Sequence, residues 1–169
     1  SLSVRALGVN EFAARLPSAL IAILLLLTVH AALLRWLAPA GKETDDRSHA
    51  MAHGCAFIGS ALLMVMPLVA IWARAATTDI TLTFFVTLAL LALLQAEVTR
   101  ARYWYLAAAV ACGLAFLTKG PVGLILPGAA WLLFHLRGRT LATEARRVPW
   151  AAATLLFLAV ALPWYAATW

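Results

Sequence analysis

Four charged side chains, Arg15, Arg74, Asp79 and Lys119, carry most of the chemistry this sequence can offer. Each sits at the end of an apolar run, and if those runs cross a membrane in alternation, all four fall on one membrane face. A carboxylate at the mouth of a membrane helix is costly unless solvated or paired. In Arg74-Ala-Ala-Thr-Thr-Asp79, Asp79 is therefore a candidate general base towards an acceptor hydroxyl or amine, or a holder of a divalent cation. The bland account is compatible with it: Thr78 or Asp79 can cap the following helix, because both side-chain types accept hydrogen bonds from orphan amides and a carboxylate suits the positive end of the helix dipole.

Lys119 lies in Gly113-Leu-Ala-Phe-Leu-Thr-Lys119-Gly120-Pro121-Val-Gly123. A phosphate-cradling P-loop requires Gly before the Lys and Ser or Thr after it, whereas Thr118 precedes and Gly120 follows, so that reading is rejected. What remains is a cation at a helix break, where Gly120 and Pro121 end one helix and start the next. Such a lysine can neutralise a phosphate at the membrane surface, or simply snorkel from a helix end. Arg15, in Asn10-Glu11-Phe-Ala-Ala-Arg15-Leu-Pro17-Ser18, is spaced for an i,i+4 pair with Glu11 or can offer its planar fork to a phosphate. Pro17 is expected to mark the helix start.

The elements that must position these residues follow from composition. With 64% hydrophobic and 12% charged residues among 169, the chain is far from what a soluble domain can solvate. Apolar stretches cover 16–37, 50–73, 80–96, 103–118, 121–136 and 148–169. A helix of about 20 residues crosses about 30 Å of hydrocarbon, so the longer stretches span outright. The expectation is an all-α integral membrane bundle of about six helical segments, with 103–118 and 121–136 either short spans or a re-entrant pair around Lys119-Gly120-Pro121.

Nine of the thirteen lysines and arginines lie in the first, third and fifth loops, including Arg100, Arg102, Arg137, Arg139, Arg146 and Arg147. By the positive-inside bias those loops are cytoplasmic, and the four candidate residues face outward. The net charge of +6 thus reports topology and excludes a nucleic-acid reading. Trp36, Trp72, Trp104, Trp150 and Trp164 near segment ends fit interface anchors. Cys55 and Cys112 stand apart and are expected to be small buried hydrophobes, with no disulfide framework or metal knuckle. His49 and His53 have helical metal-ligand spacing, but no acid flanks them on the outer face, so no metal is assigned there. The chain has no signal-peptide pattern, and its ends suggest a piece of a longer multi-span protein.

Four runs resemble the membrane portion of family 39 glycosyltransferases, which include bacterial aminoarabinose transferases acting on lipid A and protein O-mannosyltransferases. They are Asn10 to Leu20, Ala73-Arg74 with Thr78-Asp79, Gly113 to Pro121, and Leu162-Pro-Trp-Tyr165. The resemblance implies a C-type glycosyltransferase fold using a polyprenyl-phosphate sugar donor, with transfer to a lipid or protein acceptor on the periplasmic side of the bacterial inner membrane. Residues 1–169 would be a partial transmembrane domain lacking the family's first helix and first outer loop with its acidic catalytic residue. Carried over are Asp79 as a second outer-face acidic residue, Lys119 and Arg15 for the donor phosphate, and Arg74 as a weaker phosphate candidate. No cofactor is required by these residues, although a divalent metal remains compatible with them. A secondary transporter is the rival from another class, but transporters place ionisable groups mid-span and these segments contain almost none. A third reading, a non-catalytic membrane assembly subunit, expects replacement of Asp79 or Lys119 to alter stability alone.

Overall fold

The computed structural model describes residues 11–37, 46–75 and 78–167, and among these it contains eight helices and no strand. The chain divides into two compact units, Ser1–Ile80 and Thr81–Trp169. The all-α expectation holds. Three helices are long and apolar enough to cross a membrane, and three shorter apolar ones accompany them.

In the first unit, α1 (Glu11–Leu37) packs against α2 (Asp46–Val65) and α3 (Pro67–Arg74). Small residues make the α1–α2 seam: Ala52 and Ala56 are buried, and a Cβ at Gly59 would stand 2.8 Å from Leu33 Cδ1. One step along, His30 Nδ1 lies 3.1 Å from Ser60 Oγ, whose own hydroxyl donates to the Ala56 carbonyl at 2.8 Å. Because that hydroxyl proton is used on Ala56, the Nδ1 of His30 is the donor to Ser60. The pairings of residue 33 with 59 and 30 with 60 run antiparallel, so Arg15 near the start of α1 lies at the end where α2 finishes and α3 follows.

Three expectations are corrected here. The stretch 50–73 is not one helix, because it breaks at Met66, whose φ of −55° and ψ of 121° are extended. Pro67 supplies the cause, lacking a donor and disfavouring helical backbone in the residue before it. Pro17 does not start its helix but sits inside α1. The Glu11-Phe-Ala-Ala-Arg15 run contains good helix formers and carries the helix a turn and a half upstream, leaving one backbone bond unmade at the proline. Cys55 also differs from expectation: it is exposed, whereas Cys112 is buried. Cys55 falls outside the Ala52–Ala56 seam, on a face that lipid can cover without penalty.

The helix α4 (Asp79–Thr99) starts in the last two residues of the first unit, and the second unit comprises the rest of it with α5 (Tyr103–Lys119), α6 (Val122–Arg137), a single-turn α7 (Leu141–Ala145) and α8 (Trp150–Ala167). At about 1.5 Å per residue, α4 is about 31 Å long, and α5 and α6 are each about 25 Å. α5 and α6 form a tight antiparallel hairpin. Gly120, at φ 71°, closes α5 by donating to the Phe116 carbonyl at 2.7 Å, and α6 then starts from Pro121. The close approach is made by Gly123, where a Cβ would lie 2.5 Å from the Ala115 carbonyl carbon. On its other side α5 packs on α8, through Gly113 against Val160 and Phe116 edge-on to Phe157. The core centres on Ala89, Ala111 and Cys112, covered by Leu88 and Phe157.

Candidate functional site

Lys119 is the last residue of α5 and is exposed. Its position is set by the hairpin: Thr118 Oγ1 donates to the Ala115 carbonyl at 2.6 Å, Gly120 turns the chain, and Gly123 seats directly on Ala115. The backbone carrying the ammonium is therefore held by contacts a larger residue cannot make. A lysine at a helix C-terminus also complements the negative end of the dipole, so this position has a structural account of its own that is compatible with the expected phosphate contact.

Asp79 is the first residue of α4 and half-buried. That position puts the carboxylate in the first turn, at the positive end of the dipole. Arg15 is exposed near the start of α1. Arg74 ends α3, and its side chain lies outside the described residues, as does that of Glu11, so the expected Glu11–Arg15 pair is not described. Arg15 and Arg74 share one end of the first unit, and Lys119 belongs to the second. Among the described residues there is no group of three potential metal ligands, and the first turns of α2 leave both His49 and His53 exposed.

Sequence reasoning missed a polar network at the other end of the second unit. Glu144, only 5% exposed, accepts from Arg100 Nη1 at 2.6 Å and from Arg147 Nη1 at 3.3 Å. Glu97 accepts from the Tyr105 hydroxyl at 3.0 Å and stands 3.6 Å from Arg100 Nη1. His135, 1% exposed, pairs its Nδ1 with Thr140 Oγ1 at 2.9 Å, while its Nε2 is 3.2 Å from Glu97 Oε1 without hydrogen-bond alignment. These contacts tie the end of α4, the start of α5, the end of α6 and α7 together. The charge count had used Arg100, Arg137 and Arg147 for topology alone. The available signal was an acidic or imidazole side chain at the end of an apolar run, Glu97 and His135, which a membrane helix rarely carries without a partner.

Burial alone would push the Glu144 carboxyl up, but hydrogen bonds and charge from Arg147 and Arg100 outweigh it and hold the group below its ordinary range. A carboxyl lowered on folding contributes stability above its unfolded pKa, about 4.3, and that contribution is lost as pH falls through the folded value. The thermal midpoint of the purified protein is accordingly expected to fall as pH drops below about 4. Glu144→Gln should lower the midpoint at neutral pH and flatten this acid limb, read in a pH series of melting curves.

Between the network and the Lys119 turn, the second unit holds an apolar cavity of about 430 Å³ bordered by Leu93, Cys112, Pro127, Trp131 and Phe157. In a lipid-embedded unit such a cavity suits a hydrocarbon chain.

A family model described as dolichyl-phosphate-mannose-protein mannosyltransferase matches residues 49–166. Among curated proteins none matches the chain. Two crystal structures of ArnT from Cupriavidus metallidurans, one bound to undecaprenyl phosphate and one in the apo state, are similar to it. Each has a TM-score of 0.79 and 26% sequence identity, over 98% of this chain and 29% of that one. The chain therefore spans under a third of the length of these relatives.

Proposed function

This chain belongs to the dolichyl-phosphate-mannose-protein mannosyltransferase family, and on that premise we propose that it is part of a multi-pass membrane glycosyltransferase that moves a sugar from a polyprenyl-phosphate donor to a lipid or protein acceptor. The observation that carries this reading is the match over residues 49–166, a stretch that contains Arg74, Asp79 and Lys119. The undecaprenyl phosphate bound to ArnT supplies the donor chemistry by analogy.

The reaction is a displacement at the anomeric carbon. An acceptor oxygen or nitrogen forms a bond to that carbon, the bond to the phosphate oxygen breaks, polyprenyl phosphate departs with the electron pair, and the acceptor proton passes to a base. Negative charge grows on the departing phosphate, so cations positioned there lower the barrier. Lys119 fills this role, with Arg15 as a second donor-phosphate residue and Arg74 a weaker one. Asp79 orients the sugar or takes the acceptor proton, and the apolar cavity of the second unit accommodates part of the isoprenoid. The arginine-rich end of the second unit is cytoplasmic under the positive-inside bias, which puts the Lys119 turn, at the opposite end of the α5–α6 hairpin, on the periplasmic face of a bacterial inner membrane.

Transfer from a labelled polyprenyl-phosphate sugar, measured in membranes holding the intact protein, tests this. Asp79→Asn keeps the size of the side chain and removes the charge, and is expected to slow transfer about fivefold, the scale of lost positioning. Full-rate transfer by the folded variant would remove Asp79 from the chemistry.

A further inference from the structure

The arginine-rich end of the second unit contains more positive charge than its carboxylates can use. Arg100 and Arg147 are committed to Glu144, and Glu97 is engaged by Tyr105 and Arg100. Arg102, Arg137, Arg139 and Arg146 remain exposed, with no acidic partner among the described residues. A cavity of about 480 Å³ opens here, with Arg137, Gly138, Thr140 and Phe134 on its wall beside the neutralised glutamates.

Backbone conformation singles out one of these arginines. Arg100 and Arg139 both adopt positive φ, 58° and 54°, the first directly after α4 and the second two residues past the end of α6. A left-handed conformation disfavours any side chain with a Cβ and ordinarily selects glycine. For Arg100 the ion pair with Glu144 accounts for a long cationic side chain at such a position. Arg139 has no such internal reason, and it sits two residues from Arg137 at the end of an apolar helix, the level of a membrane surface.

We propose that this end of the second unit is a binding site for the headgroup of an anionic phospholipid, with Arg137 and Arg139 meeting the phosphate and Phe134 against the upper acyl chain. Charge complementarity selects this occupant. The two carboxylates of the cavity are already matched, so a lipid ammonium finds no vacant acid, whereas a phosphate meets unmatched guanidiniums that bind it bidentately. The site is separate from Lys119, which lies at the other end of the hairpin.

The test is lipid retention by the intact protein, read by native mass spectrometry after exchange from nanodiscs of phosphatidylcholine with one-fifth phosphatidylglycerol. The wild type is expected to retain phosphatidylglycerol about tenfold over its bulk fraction, and Arg137→Gln with Arg139→Gln to lose at least about fivefold of that enrichment, the order of two surface cations. Arg139→Gly guards against a folding artefact, because glycine suits φ 54°: its thermal midpoint should hold or rise while enrichment falls. Equal enrichment in the variants, or none in the wild type, overturns the proposal. So does displacement by millimolar inorganic phosphate, which would mark a free-anion site instead of a lipid headgroup site.

Discussion

In the intact enzyme, Lys119→Met is expected to slow sugar transfer by at least about tenfold while leaving the protein folded, the loss typical of removing one preorganised charge-stabilising donor. Methionine keeps most of the aliphatic stem and removes the ammonium, and Lys119 is exposed at a helix end, so packing barely changes. The effect is expected mainly on the rate of the chemical step, because charge on the polyprenyl phosphate grows as the glycosidic bond breaks. Arginine at the same position should restore only part of the rate, since its fork is longer and planar where the lysine is a compact point charge. Single-turnover kinetics with a labelled donor separates this loss from weaker binding. Unchanged transfer by a folded Lys119→Met protein would place the lysine outside the mechanism.

The second large effect is structural and acts on the same lysine from a distance. At Gly123, an added Cβ meets the Ala115 carbonyl carbon at 2.5 Å and its Cβ and oxygen at 2.7 Å. These are mostly backbone atoms of the facing helix, so the hairpin itself must open. Gly123→Ala should cost about 1–3 kcal/mol, the range seen for forced overpacking, and should also reduce transfer by shifting the turn that carries Lys119. Gly128 on the same helix provides the contrast, because a Cβ there meets nothing within 4 Å. Gly128→Ala should be neutral or stabilising by up to about 1 kcal/mol from helix propensity alone. Heat-inactivation curves of the two variants in detergent distinguish them. Equal behaviour would mean that the α5–α6 contact does not control the position of the turn.

Much of this molecule is legible from patterning. Apolar run length locates the helices, because a membrane leaves backbone groups no partner outside a helix or barrel. The Lys119-Gly120-Pro121 break is equally visible, and it becomes a hairpin turn because Gly120 takes a positive φ that closes α5. The break at Met66-Pro67 was also written in the residues. It was obscured because hydropathy runs on through the proline even though the hydrogen-bond ladder does not. Less accessible was everything that depends on which helix faces which. Gly123 reads as an ordinary glycine until Ala115 is placed against it. Likewise Glu97, His135 and Glu144 are far apart in sequence and become one network only when α4, α6 and α7 meet. Counting charges by loop treated Arg100 and Arg147 as topology signals, whereas packing uses them to neutralise a buried carboxylate.

The central claim is that a lipid-linked phosphate donor is held at the Lys119 end of this chain. Photo-crosslinking with a polyprenyl-phosphate sugar probe tests it most directly, comparing wild type with Lys119→Met and Arg15→Ala and competing with unlabelled polyprenyl phosphate. The account predicts labelling that competitor removes and that either substitution weakens severalfold. Labelling that is absent, or indifferent to both substitutions in folded protein, would contradict it.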